Sequence, residues 1–309
     1  MEKISKFNNE KKEKSLVFGD SIHPESNEFP EIPDTLNIFP IESDPEFLAK
    51  EALKRDLSRV KKLRFDPVNT CNQACIFCPN NLKVKLARIS PYFLNQLLQR
   101  ISNTCNRISF GCSYEPLMEK NIKEYADVIK SNINDFTYKP KINLVTNGKF
   151  IDKRDIGSFV DICDWFHLSI HSCQKDNFQS IEKSDLSSLV SNIKMLRTRY
   201  PQLKIHAEMV VTKINFYEAD EYIHWAFNEL HINSVNMRLV ALDRYHPKSY
   251  LAQTLKEKIS LNVSEENWKN LVNKMSNTYS STINDVSTTL DNKTPVIELV
   301  NNNNVLNWN

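Results

Sequence analysis

The sequence predicts an α/β protein with a mostly parallel sheet. Six short apolar segments of strand length alternate with segments of helical periodicity over roughly 180 residues. The 309 residues are 40% apolar and 25% charged, which is typical of a globular chain with one large domain or two smaller ones. This alternation favours either a doubly wound sheet or a sheet curled into part of a barrel, and periodicity does not choose between them.

The predicted strands and helices follow one another without a convincing internal repeat. Ser90 is a helix N-cap candidate with Pro91 at the first helical position, and Asn147-Gly148 is a turn signal after a strand. Strands are predicted at 63–68, 107–110, 142–146, 165–170, 205–211 and 235–240, and helices at 91–101, 118–129, 151–162, 186–198 and 218–230.

The chain on either side of this core has other patterns. Residues 1 to about 45 are polar and then rich in proline, which predicts a mobile arm followed by an extended surface segment. Further predicted elements are helices at 45–60 and 265–275 and short strands at 295–300 and 305–308. We predict an N-terminal arm and helix (1–60), a core domain (61–242) and a C-terminal extension (243–309).

Charge and hydropathy bear on the compartment and the partners. The net charge is +2 without a long basic run, so nothing argues for nucleic acid as a partner. No apolar stretch approaches the length that spans a bilayer, and the N-terminus lacks the apolar core of a secretory signal. We therefore expect a cytoplasmic protein without a membrane partner, whose seven cysteines are metal ligands, reactive thiols or buried apolar residues.

A cluster of cysteines directly follows the first predicted strand. Cys71, Cys75 and Cys78 have the spacing C-x3-C-x2-C, which random placement of seven cysteines would produce only about 0.003 times per chain. Closely spaced thiolates on a loop can hold an iron–sulfur cube, and three ligands leave one iron open to an outside ligand. The competing interpretations are a zinc site, which lacks a nearby fourth ligand here, and buried structural thiols.

The cysteine motif resembles that of the radical S-adenosylmethionine superfamily, which has C-x3-C-x-aromatic-C after the first strand of a partial (β/α)6 barrel. Phe77 occupies the aromatic position, and the resemblance covers residues 62 to 242. It implies an α/β fold with a partial (β/α)6 TIM-like barrel, to which the N-terminal arm and the small C-terminal extension described above are added. It also implies a [4Fe–4S] cluster held by Cys71, Cys75 and Cys78, with S-adenosyl-L-methionine as the second cofactor.

The resemblance further implies a reaction type and partners. In the family, the open iron binds S-adenosylmethionine, and one electron cleaves the sulfonium to methionine and a 5′-deoxyadenosyl radical, which removes a hydrogen atom from the substrate. The electron comes from an external donor such as flavodoxin or ferredoxin. The substrate is expected to be a peptide or a small metabolite.

Five further positions are candidates for contacts with S-adenosylmethionine, besides the aromatic Phe77. Gly111 and Glu115 resemble the family's segment after the second strand, although Cys112, Ser113 and Tyr114 intervene. Ser169 and His171 share one face at the end of the fourth strand, where family members contact the ribose. Glu208 interrupts an apolar strand, which indicates either ligand contact or a structural salt bridge.

The four remaining cysteines fall into two groups. Cys105 and Cys163 precede predicted strands, whereas Cys112 and Cys173 follow strands at the edge where such barrels place their active sites. Cys112 and Cys173 are therefore candidates for donating a hydrogen atom to a substrate radical. No cysteine follows Cys173, so the tail has no cysteine ligands for an auxiliary cluster of the SPASM or twitch type.

Three hypotheses about function follow. The leading one is an enzyme of the radical type described above, with an outcome that no sequence feature selects. The second is a non-catalytic iron–sulfur or zinc binding module, which predicts no cleavage of S-adenosylmethionine. The third is a methyltransferase or methylthiotransferase variant, and the sequence carries no clear signature of either.

Overall fold

The computed structural model describes residues 35–38, 53–54, 56–78, 86–240, 263–278, 283–285 and 296–300. These residues form one sheet whose strands are connected by helices. In this part of the chain, no helix is long and apolar enough to cross a lipid bilayer.

The sheet consists mainly of parallel strands in sequence order. Seven strands, β1 to β7, lie side by side, and every neighbouring pair among them is parallel. At one edge, β9 pairs antiparallel with β7 and with β8. The strands are β1 (Thr35–Ile38), β2 (Lys62–Phe65), β3 (Arg107–Phe110), β4 (Lys141–Thr146), β5 (Trp165–Ser169), β6 (Ile205–Val211), β7 (Ser234–Leu239), β8 (Ile283–Asp285) and β9 (Val296–Val300).

The strand order decides between the two windings that periodicity left open. A doubly wound sheet reverses its direction of growth at a switch point, whereas each strand from β2 to β7 is added on the same side of the preceding one. Because crossovers between parallel strands are nearly always right-handed, growth in one direction places the connecting helices on one face. The sheet is therefore an open partial barrel, which confirms the predicted fold class.

The helices confirm most of the predicted positions. Ser90 is the N-cap of the first helix, because its Oγ accepts a hydrogen bond from the backbone N–H of Phe93 at 3.3 Å. The α-helices in the described residues are α1 (Pro91–Ile101), α2 (Ile122–Asn132), α3 (Gly157–Val160), α4 (Lys175–Glu182), α5 (Leu186–Arg199), α6 (Ala219–His224) and α7 (Glu265–Thr278). Short 3-10 segments flank them at Pro116–Met118, Ile133–Asp135, Ile151–Lys153 and Phe216–Glu218, and a π-helical segment, Trp225–Glu229, follows α6.

Two helical regions differ from the sequence prediction. The sequence prediction does not include helix α4, because Phe178 and Ile181 are the only apolar residues in it, too few to produce a periodic stripe. The helix predicted at 151–162 is divided into a 3-10 segment and α3, since Arg154 between them has an extended backbone.

The flanking segments contribute strands to both edges of the sheet. Strand β1 lies where an extended surface segment was predicted, and the sequence did not indicate its parallel pairing with β2. Strand β9 confirms the strand predicted at 295–300. The strand predicted at 305–308 and most of the helix predicted at 45–60 lie outside the described residues. The division at residues 60 and 242 stays a prediction.

The two faces of the sheet differ in chemistry. Residues facing the helices are apolar and fully buried, as in Phe65, Phe110 and Phe166. The alternating residues on the concave face are exposed, half-buried or hydrogen-bonded, and most of them are polar: Arg64, Ser109, Asn143, His167, Ser169, Glu208, Asn236 and Arg238. A closed barrel fills its interior with branched apolar side chains, whereas this concave face is a polar wall.

Strand β3 ends at a position that only glycine fits. Gly111 has φ +78°, and its backbone N–H donates to the carbonyl of Phe65 at 2.8 Å. A Cβ at this position would lie 2.4 Å from the carbonyl oxygen of Val145 and 2.6 Å from Cγ of Pro116. Gly111 therefore permits the close approach of β4 and the turn after β3.

We expect Gly111→Ala to lower the free energy of unfolding by roughly 3 kcal/mol, because the new Cβ meets backbone in a left-handed conformation. Urea unfolding measures the change. The control is Gly157→Ala, whose Cβ would find its nearest atom at 3.4 Å, and we expect a change of less than about 1 kcal/mol there. Equal effects in the two variants would contradict this explanation.

Candidate active site

The three clustered cysteines lie on the loop after β2, at the carboxyl edge of the parallel strands. Their thiols are close enough to influence one another's ionisation: Cys71 is affected by Cys78, and Cys75 by both. Among the described residues, no three His, Cys, Asp or Glu side chains are gathered around the position of one metal ion. An iron–sulfur cube binds each thiolate through a different iron, so its ligands stand farther apart than those of one ion.

Hydrogen-bond donors point at one of these sulfurs. The backbone N–H of Gln73 lies 3.4 Å from Sγ of Cys71, and Nδ2 of Asn147 lies 3.6 Å from the same sulfur. The Asn147 amide also donates to Oδ1 of Asn72 at 2.7 Å, which orients it. Donors of this kind stabilise a thiolate, the form that binds iron.

The ionisation of the thiols is unfavourable without a cation. Burial raises the pKa of Cys71 to about 12, although the residue as a whole exposes surface, and the nearby Glu115 charge adds to the shift. Burial, together with the charges of Glu182 and the other two cysteines, raises the pKa of Cys75 well above its usual value. A bound metal centre reverses this balance because its charge favours the thiolate. The donor set therefore fits an iron–sulfur cluster.

Asp66 holds the loop that follows β3. Its fully buried carboxyl accepts backbone N–H groups from Cys112 at 2.9 Å, Ser113 at 3.2 Å and Tyr114 at 3.2 Å. Burial raises the pKa of Asp66 to about 7, against the lowering effect of these bonds. Asp66 thus positions the segment after β3, which contains the candidate cofactor-contacting residues Gly111 and Glu115.

Glu115 is buried between the ends of β3 and β4. Its Oε1 accepts the backbone N–H of Leu117 at 2.9 Å and the hydroxyl of Thr146 at 2.7 Å, and its Oε2 accepts the backbone N–H of Asn147 at 2.7 Å. Burial raises the pKa of Glu115 to about 7. Because these donors already engage both oxygens, the structure shows a bridging role, and the predicted contact with an ammonium group stays a prediction.

Phe77 and His171 are brought together, although 94 residues separate them in the chain. Their rings meet edge to face with centroids 4.9 Å apart. Nδ1 of His171 accepts the backbone N–H of Val210 at 3.1 Å, and burial lowers the pKa of His171 to about 4. The neutral imidazole therefore carries its proton on Nε2. Ser169 lies on the concave face, half-buried and opposite Glu208 of β6.

Glu208 belongs to an ion-pair network on the concave face. Its Oε1 lies 2.6 Å from NH2 of Arg238, and its Oε2 lies 3.3 Å from Nε2 of His167. Burial alone would raise the pKa of Glu208, but Arg238 and the hydrogen bond from His167 outweigh it and hold the pKa well below its usual range. The sequence indicated either a structural salt bridge or contact with a ligand for Glu208. The salt bridge is present, and contact with a ligand stays a prediction.

The two cysteines proposed as hydrogen donors lie near the same edge of the sheet. Sγ of Cys112 is 3.8 Å from the carbonyl of Ser109, and Sγ of Cys173 is 3.3 Å from Oε2 of Glu218. Burial raises the pKa of both thiols, so both are protonated at neutral pH. Their role in hydrogen transfer stays a prediction.

The sequence did not single out three residues that build this edge: Asp66, Asn147 and Glu182. Asn147 was taken only as a turn former, and Asp66 only as a residue of the first strand. Glu182 is fully buried and accepts hydrogen bonds from Gln73 and His171, which lie 109 and 11 residues away in the chain. A charged residue in a short apolar segment was the only local signal for Asp66.

Comparison with known proteins identifies a family. The family model of the Radical SAM superfamily matches residues 66–226. No curated protein sequence matches the chain.

Solved structures share the fold. The chain resembles TYW1 with a bound lysine–pyruvate adduct, at 12% identity and TM-score 0.51 over 77% of this chain and 80% of that chain. It resembles SuiB of Streptococcus suis bound to S-adenosylmethionine, at 15% identity and TM-score 0.57 over 77% and 52%. It also resembles anSMEcpe with bound AdoMet, at 15% identity and TM-score 0.56 over 72% and 60%. The chain thus spans only about half of SuiB and three fifths of anSMEcpe.

We expect Glu208→Gln to lower the free energy of unfolding by roughly 2 kcal/mol at pH 7, because Arg238 loses its partner. The folded-state pKa of Glu208 is depressed, so the ion pair stabilises the protein above the unfolded pKa near 4.5 and less as the pH falls. Urea unfolding at pH 7 and pH 4 should therefore show a smaller difference from wild type at pH 4. Glu229→Gln, at an exposed glutamate, is the control. A difference that grows on acidification would rule out this assignment.

Proposed function

Because the chain belongs to the radical SAM superfamily, we propose that it abstracts a hydrogen atom from a peptide or small-metabolite substrate, with its cluster held by Cys71, Cys75 and Cys78. The family uses a [4Fe–4S] cluster and S-adenosylmethionine. When bound, these cofactors together supply one-electron cleavage of the sulfonium, which gives a 5′-deoxyadenosyl radical. The observation that supports these three ligands is a pair of N–H donors directed at Sγ of Cys71. The thiols of Cys71 and Cys78 also lie close enough to Cys75 to influence its ionisation.

The residues of this chain have separate tasks in the proposal. Gln73 and Asn147 donate hydrogen bonds to the Cys71 thiolate. Phe77, within the cysteine loop, packs against His171. Ser169 and the Nε2–H of His171 are proposed to contact S-adenosylmethionine. Gly111, Glu115 and Glu208 are proposed to line the same cofactor site. Gly111 and Glu115 also keep the ends of β3 and β4 close together.

The substrate class is supported by proteins of the same fold. SuiB has been solved bound to the precursor peptide SuiA, and anSMEcpe with the Kp18Cys peptide. TYW1 carries a smaller lysine–pyruvate adduct. The polar concave wall suits a polar substrate of either size, because hydrogen-bonding side chains there remain partly accessible.

Electrons are proposed to come from an external donor such as flavodoxin or ferredoxin. The cytoplasmic location, which was expected because the sequence has no apolar stretch of membrane-spanning length and no secretory signal, stays a prediction. The alternative function, a non-catalytic iron–sulfur or zinc module, differs in one measurable outcome, since it would not cleave S-adenosylmethionine.

The test of this function is anaerobic reconstitution with iron and sulfide, followed by reductant and S-adenosylmethionine. We expect absorbance near roughly 410 nm from thiolate-ligated iron and formation of 5′-deoxyadenosine. Cys71→Ala, Cys75→Ala and Cys78→Ala should each lose both signals. Cys163→Ala, at a half-buried cysteine that precedes β5, should retain them. Wild-type protein that binds iron but produces no 5′-deoxyadenosine would support the binding module instead.

We expect Asn147→Ala to make the reduction potential of the cluster more negative by roughly tens of millivolts, because a hydrogen bond to a cluster thiolate favours the reduced state. Redox titration followed by electron paramagnetic resonance (EPR) measures the shift. Asn192→Ala is a matched control, since the Asn192 amide holds the same turn through the carbonyl of Gly148 at 2.8 Å without contacting the thiol. An unchanged potential in Asn147→Ala would contradict the assignment.

A further inference from the structure

Glu182 connects the cysteine loop to the end of β5. It is the last residue of α4, and its side chain is fully buried. Oε2 accepts a hydrogen bond from Nε2 of Gln73 at 2.8 Å, and Oε1 accepts the backbone N–H of His171 at 2.8 Å. One carboxyl group therefore bridges two segments that are distant in the chain.

The backbone beside Glu182 holds the same loop. The carbonyl of Ile181 accepts the backbone N–H of Ile76 at 2.9 Å. Lys183 then ends the helix in the left-handed conformation, with φ 53°. The last turn of α4 thus contacts the loop at Gln73, between the first two cysteines, and at Ile76, between the second and third.

Burial of this carboxyl group needs an explanation. Moving a carboxyl group from water into the protein is costly unless hydrogen bonds replace those to water. Both oxygens here are used to join the loop and the strand end, and the Phe77 and His171 rings meet between the same two segments. An apolar residue would fill the space but could not set the separation of these segments.

We propose that Glu182 is a positioning residue that sets the distance between the cysteine loop and the His171 strand end, and through it the affinity for S-adenosylmethionine. The proposal rests on the proposed function, in which the loop holds the cluster and His171 faces the cofactor. Glu182 acts through Gln73 and the backbone of His171, and among the described residues its carboxyl group accepts no hydrogen bond from Cys71, Cys75 or Cys78.

Three variants separate this role from general stability. Glu182→Met keeps the approximate length but offers no acceptor oxygen, so the N–H groups of Gln73 and His171 both lose their partner. Gln73→Ala removes the bond from the loop side, together with the contact between its Oε1 and Sγ of Cys75 at 3.9 Å, and leaves the bond to His171. Glu119→Met is the matched control, because Glu119 is also buried and accepts one backbone N–H, from Asn121, and one side-chain N–H, from Arg88.

The measurement uses the reconstituted 309-residue chain under anaerobic conditions. Iron content is determined first, and the dissociation constant for S-adenosylmethionine is then obtained from its effect on the EPR spectrum of the reduced cluster. We expect Glu182→Met and Gln73→Ala to retain iron but to weaken binding by roughly tenfold. The double variant should bind no more weakly than the weaker single variant, since both single variants remove the bond between Gln73 and Glu182. Glu119→Met should stay within about twofold of wild type.

Several results would overturn the proposal. These are wild-type affinity and spectrum in Glu182→Met, multiplied effects in the double variant, or equal weakening in Glu119→Met. If Glu182→Met does not fold, Gln73→Ala decides: weaker binding with wild-type iron content supports the positioning role, and unchanged binding overturns it. Wild-type protein without a cluster signal would instead overturn the proposed function, and the role of Glu182 in it, at the first step.

Discussion

The edge of the sheet that carries the site is organised by buried carboxyl groups, each of which needs N–H donors as hydrogen-bond partners. Asp66, Glu115 and Glu182 each accept a backbone N–H from a segment other than their own helix or strand. Because an unsatisfied buried carboxyl is costly, the loops are held where their N–H groups reach these oxygens. The cysteine loop, the turn after β3 and the end of β5 therefore have defined positions relative to one another.

The parallel sheet supplies the frame on which these carboxyl groups act. The parallel pairing of β1 to β7 brings the carboxyl ends of these seven strands to one edge. Growth of the sheet in one direction places the crossover helices on one face and leaves the concave face to polar side chains. That face carries the Glu208–Arg238 pair and His167. Under the proposed function, the cluster on the loop of Cys71 would lie at the carboxyl edge of the sheet whose concave face carries this polar wall.

The site was only partly predictable from the sequence. Cys71, Cys75 and Cys78 are recognisable because their spacing is local, and Phe77 lies within the same motif. The contacts of Asn147 with Cys71, and of Glu182 with Gln73, join residues 76 and 109 positions apart. Hydrogen-bond partners at such separations depend on how the strands are ordered, and local patterns do not carry that information. The same limit hid the salt bridge of Glu208, because its partner Arg238 lies 30 residues away in the chain.

The sequence by itself determined where most strands and helices lie, because the period of buried residues is a local property that each segment displays alone. It also determined the cysteine triad and, through it, the family. Only the tertiary structure decided the one-way winding of the sheet, the added edge strand β1 and the closure of the cysteine loop against α4. These features depend on contacts between distant segments and on the satisfaction of buried polar groups, and neither has a periodic signature in the chain.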